Sequence, residues 1–174
     1  MDINERIVST AKSFSGQEEI RGNLGFVEEE FQELMEAVGW EKGQAWCAYF
    51  AELIWKLSFV TNQRTVGELN LLFSAGAVAT WNNFRRSEWI TSESPRVGSI
   101  IIWQSYKNNT PHWSGHVGIV EKIEETVIHT IEGNTNPMGG REGYTVSSKV
   151  RTLNFKVKNG LRVKGFIYPE KAIV

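Results

Sequence analysis

The sequence predicts an α+β fold, with N-terminal helices packed on a C-terminal antiparallel sheet of about five strands. Three observations predict it. Apolar residues recur at helical spacing through the first half, about 1–94, and at strand spacing through the second, about 95–170. The change of pattern falls near Pro95, helices before and strands after, which is the order of an α+β domain. No repeat, low-complexity tract or linker divides the 174 residues, so residues 1–174 are read as one domain.

The elements follow in chain order. Asp2 and Glu5 form a capping box for a helix over about Ile3–Phe14, whose apolar face is Ile3, Ile7, Ala11 and Phe14 and which Gly16 stops. A second helix, about Glu28–Val38, starts with glutamates that suit the positive end of its dipole and ends at Gly39. A third begins near Ala45 as an amphipathic helix with Phe50, Leu53, Ile54 and Leu57 on its stripe. Weaker helical patterns cover about Val66–Phe73 and Ala77–Phe84. Strands are predicted at Val97–Trp103, His116–Lys122, Thr126–Glu132, Thr145–Leu153 and Leu161–Tyr168. The second and third are joined by a short Glu-rich turn that reads as a hairpin. Gln104–Gly115 and Gly133–Gly143 read as long polar loops, common places for a binding site.

Composition narrows the function. Nineteen basic against twenty acidic residues give a formal charge of −1, so nothing announces a nucleic-acid partner. Asp2 is the sole aspartate, which argues against an EF-hand or an aspartate dyad. Cys47 is the sole cysteine, so neither an internal disulfide nor a Cys-rich zinc site is expected. The N-terminus has no signal-peptide apolar core, and no apolar run approaches the ~20 residues of a membrane span. The expectation is a monomer made in the cytoplasm without a signal peptide.

Cys47 falls in the first turn of the third helix, where unpaired N–H groups and the helix dipole favour a thiolate and can hold an oxyanion. A lone cysteine is more often a small core residue; the histidine decides between the two. His116 opens the alternating strand GHVGIV, with Val117 and Ile119 on one face and His116, Gly118 and Val120 on the other. Gly115 and Gly118 leave room beside the imidazole. Glu132 and Asn134, ~7 Å apart along the next strand, can accept the imidazole N–H and set its tautomer. Nucleophile at a helix start, histidine on a strand and polar orienter on the adjacent strand is the layout of papain-like cysteine hydrolases.

WCAYF around Cys47, PRVGSIIIW at 95–103, GHVGIV at His116, IEGN around Glu132 and the closing GFIYP at 165–169 together resemble the CHAP family, the cysteine, histidine-dependent amidohydrolases/peptidases. The lead-in GQEEIRGNLGF at 16–26 resembles phage and prophage members. The resemblance implies a papain-like fold and cleavage of an amide bond in peptidoglycan by an N-acetylmuramoyl-L-alanine amidase or endopeptidase. It implies Cys47 as nucleophile, His116 as general base, Glu132 as its orienting residue and Asn134 as a further polar group, with no cofactor. Two departures stand out. The aspartate-rich calcium loop of some members has no counterpart here, and 174 residues leave no room for a separate wall-binding module. A non-hydrolytic wall-binding or phage structural protein on this fold, or an antibacterial effector with the same chemistry, remain alternatives.

Other residues carry two readings. Gln44 is either an oxyanion donor or an ordinary polar residue at a helix start, the second slightly favoured. Trp46 and Trp113 are candidates to line a sugar–peptide cleft, although seven tryptophans are in the main read as core anchors; Trp113, in a polar loop, is the better candidate. Arg141 is read as a solvated loop charge rather than a carboxylate ligand. His112 and His116 have a zinc-like spacing, but Pro111 and Gly115 oppose a helix there, and no metal site is expected. His129 is expected to face away from Glu132.

Overall fold

The computed structural model describes residues 1–136 and 143–172. It is α+β, as the sequence predicts. Helix α1 (Ile3–Ser13) starts with the expected capping box: Asp2 Oδ1 accepts the Glu5 N–H at 2.9 Å, and Glu5 Oε2 accepts the Asp2 N–H at 3.2 Å. A small ribbon of β1 (Glu19–Ile20) and β2 (Gly25–Phe26) follows, absent from the sequence reading because its two-residue strands carry no periodicity. Then come α2 (Glu29–Ala37), α3 (Cys47–Ser58), α4 (Gln63–Leu72) and α5 (Ala77–Phe84).

The strands β3 (Trp89–Ser92), β4 (Ile100–Lys107), β5 (Thr110–Ile123), β6 (Val127–Thr135), β7 (Thr145–Thr152) and β8 (Gly160–Lys171) form one antiparallel sheet in the order β3-β8-β4-β5-β6-β7. The sixth strand, β3, is an edge strand beside the chain's last strand. The expected polar loop at Gln104–Gly115 is instead a hairpin. β4 and β5 continue to a two-residue turn at Asn108 and Asn109, which have φ of 49° and 60°. Positive φ at both central residues matches the twist of the flanking strands, and asparagine tolerates it better than most residues.

Apolar side chains cover both faces of the sheet. Ile100, Ile102, Val117, Ile119 and Ile131 meet the helices. Ile101, Trp103, Val120, Ile128, Val163 and Phe166 form a second cluster on the other face. The alternation predicted for GHVGIV holds, since Val117 and Ile119 belong to the first cluster and Val120 to the second. The stripe expected on α3 is a correction. Its residues from Cys47 to Trp55 are all buried, because α1, α2, α4 and α5 surround it and β5 and β6 floor it. A helix enclosed on every side shows no polar face. Among the described residues no helix is long and apolar enough to cross a membrane.

Candidate active site

α3 brings its N-terminus onto the ends of β5 and β6 because of one glycine. A Cβ at Gly133 would lie 2.7 Å from Phe50 Cβ and 2.8 Å from the Trp46 ring. Without that methyl group the helix start packs directly on the strand. Trp46, fixed beside Cys47, donates its Nε1–H to the buried Glu19 carboxylate at 2.6 Å and packs on Phe26 and Phe31. Trp46 is fully buried, so it lines no cleft. It anchors the helix start from beneath.

Cys47 is the first residue of α3, after a start with no side-chain cap. Burial raises its pKa, but His116, through its charge and a hydrogen bond, and backbone hydrogen bonds from Val117 and Ala48 outweigh this; the net shift is downward. The thiol and the imidazole therefore meet across the junction of helix and sheet. His116 Nε2 lies 2.8 Å from Glu132 Oε2, which leaves Nδ1 for the sulfur. Its ring stacks on Trp103, centroids 5.7 Å apart. Burial opposes the imidazolium, yet Cys47 and Glu132 together push its pKa up to about 10.

Glu132 is fully buried. Burial raises its pKa, but Arg151 and His116 hold it well below the usual carboxylate range. Thr130 Oγ1 donates to its Oε1 at 2.6 Å, and Arg151 grips both oxygens, Nε to Oε1 at 2.8 Å and Nη2 to Oε2. Gly118 makes this possible. A Cβ there would press on Glu132 Cγ at 3.0 Å and on the Trp103 ring at 3.2 Å. Gly118, one of the two glycines expected beside the imidazole, thus admits the two groups that flank it.

Arg151 is the residue that sequence reasoning missed. It sits on β7 within a polar alternating run, and nothing in that run sets it apart from a solvated strand charge. The signal lies in pairing, since β7 runs beside β6 and places Arg151 opposite Ile128, on the face that carries Thr130 and Glu132.

Asn134 has φ of 51°, and the β6–β7 register breaks between Glu132 and Thr135. The regular alternation expected of Glu132 and Asn134 therefore fails. Glu132 is buried under His116, and Asn134 lines the open cleft beside it. That cleft, about 620 Å³, is walled by His116, Ser114, Asn134, Arg151, Lys107 and Asn159 among others. Trp113 is 80% exposed on β5 and is not part of the wall; the other six tryptophans are buried. Gln44 Oε1 accepts from the Tyr49 hydroxyl at 2.8 Å and from the Glu41 N–H at 3.1 Å. His112 is exposed and pairs with Ser114, and His129 lies 3.3 Å from Glu124, away from Glu132. Arg141 lies outside the described residues. Among the described residues, no three His, Cys, Asp or Glu side chains gather as metal ligands.

A thiol at a helix start, in contact with an imidazole that a buried carboxylate holds, is a cysteine–histidine–glutamate constellation. The chain belongs to the CHAP family: the CHAP domain model matches residues 39–134, over half of the sequence. That family consists in general of cell-wall amidases and peptidases. The match spans Cys47, His116, Glu132 and Asn134 and stops before Arg151. No curated protein and no solved structure matches the chain.

Proposed function

We propose that the protein hydrolyses an amide bond of peptidoglycan, as an N-acetylmuramoyl-L-alanine amidase or an endopeptidase, with Cys47 as nucleophile. The observation that carries this reading is the buried chain Cys47–His116–Glu132, in which the thiol's pKa is lowered and the imidazole's raised. The Cys47 thiolate attacks the carbonyl carbon and a C–S bond forms. The oxyanion is held by backbone N–H groups at the start of α3, which have no partner within the helix. His116 gives its proton to the leaving nitrogen and the C–N bond breaks. A water then donates a proton to His116 as it attacks the thioester, and Cys47 departs as thiolate. Glu132 keeps the imidazole in the tautomer whose Nδ1 faces the sulfur. The reaction takes place at the cell wall and uses no cofactor.

The test is digestion of purified peptidoglycan, with released amines quantified and muropeptides identified by mass spectrometry. The wild type is expected to release amines, and a folded Cys47→Ala variant to release none. Equal release by both would overturn the mechanism. No release by either, with Cys47 slow to alkylate at every pH, favours a non-hydrolytic binding protein.

A further inference from the structure

The cleft beside His116 holds one cation, Lys107, that the hydrolytic steps do not use. Lys107, Arg151 and His116 all line it, and no carboxylate does among the described residues. Glu132 lies beneath, fully buried, with both oxygens engaged. Lys107 is exposed at the end of β4, and its side chain has no hydrogen bond or ion pair among the described residues. Arg151 commits Nε and Nη2 to Glu132, and its Nη1 has no partner among the described residues. Residues 143–169 carry six Lys and Arg and no Asp or Glu. The rest of the wall is largely hydroxyl and amide, from Ser114, Asn134, Asn159 and their neighbours. Arg151 and His116 are balanced by Glu132 and Cys47, so Lys107 is the lining cation without a counter-ion among the described residues. A lone cation among neutral hydrogen-bonding groups suits an anion with several acceptor oxygens.

The direction of the substrate follows from the proton. His116 protonates the departing nitrogen, so the amine-side fragment lies on its side of the cut. The cleft opens there, and Cys47 is not part of its wall. Trp103 faces His116 in register, and Lys107 is four residues further along β4, about 13 Å at strand rise. A lysine side chain covers about half of that distance. The complementary anion therefore falls roughly two residues of extended peptide beyond the cut bond.

We propose that the departing fragment carries a free carboxylate, held in this cleft by Lys107 together with Arg151, and that the enzyme selects acidic peptides over the same peptides in amidated form. The proposal rests on the hydrolase reading above and adds the substrate class. The experiment compares synthetic muropeptide pairs that differ only in carboxylate against carboxamide at the second residue past the cut. Their kcat/KM is measured on the wild type, Lys107→Met and Lys107→Arg, and their affinity on Cys47→Ala. One charge-assisted hydrogen bond predicts a preference of about tenfold or more for the acid. The ratio is expected to fall toward one in Lys107→Met and to persist in Lys107→Arg. Equal cleavage and equal affinity for the two peptides overturn the proposal and leave the hydrolase reading intact. Cleavage of neither, with the acid still bound about tenfold more tightly, overturns the hydrolase reading and supports the cationic cleft. A preference that Lys107→Met does not change removes Lys107 from the site.

Discussion

If Cys47 and His116 exchange a proton on folding, stability should be flat over a pH range where either group alone would make it slope. His116 is raised from 6.5 to about 10. A raised group contributes stability that is fully present below its unfolded value and is lost as pH rises toward the folded one. Cys47 is lowered from 9.0. Its contribution is fully present above 9.0 and is lost as pH falls toward the folded value. Above pH 6.5, and between the lowered value of the folded thiol and 9.0, the unfolded chain holds one proton on this pair, on sulfur. The folded chain also holds one, on nitrogen. The proton counts match, and the slope vanishes. Above 9.0 the unfolded thiol ionises while folded His116 stays charged to about 10. About 1.4 kcal/mol should then be lost over that interval. Cys47→Ala removes the compensating gain. Glu132, 2.8 Å from the imidazole, still holds the charge, so the variant's stability should decline from about pH 6.5. The assay is denaturant unfolding at half-unit steps from pH 6 to 10, with variant and wild type subtracted to cancel other titrating groups. A wild type that declines from 6.5 like the variant, or a variant as flat as the wild type, would refute a pair that shares one proton.

Glu132→Gln replaces an anion 2.8 Å from His116 with a neutral amide; loss of one charged hydrogen bond, about 1.5–3 kcal/mol, should lower kcat/KM roughly 10- to 100-fold. The same loss should move the alkaline limb of the pH–rate profile from about 10 to between about 8 and 9, and an unmoved limb would show that Glu132 does not support the imidazolium. Gly133→Ala drives a methyl group to 2.7 Å from Phe50 Cβ; overpacking of this kind costs about 1–3 kcal/mol, so thermal unfolding should shift down by several degrees and Cys47 alkylation should slow as the helix start lifts off β6. An unchanged melting temperature would mean that the contact relaxes at no cost.

How much of this was legible in the sequence depended on distance along the chain. Local signals carried well. The Asp2–Glu5 capping box and the limits of α5 are where the pattern puts them, because each depends on residues within one or two turns. The pairing of the His116 and Glu132 strands was also legible, since two strands joined by a short turn need only short-range reasoning to become neighbours, whereas placing Cys47 beside them depended on the papain-like layout. Long-range packing did not carry. A helix enclosed on all sides and an arginine that becomes a partner only through β6–β7 pairing leave no local trace. The asparagine pair at 108–109 did leave one. Positive φ at two successive asparagines is hairpin chemistry, and composition alone made the segment look like a loop.

The site is held by opposing costs that cancel only as a set. Burial works against the charge on Cys47, on His116 and on Glu132. Each ionised group survives because the next one stabilises it, and Arg151 closes the chain at the carboxylate end. An odd number of anions and cations would leave one buried charge uncompensated, which costs several kcal/mol. Thiolate, imidazolium, carboxylate and guanidinium alternate in sign along the line and sum to zero. Arg151 therefore does more than brace a side chain: it favours an ionised Glu132 despite full burial, and an ionised Glu132 adds to Cys47 in favouring the charge on His116.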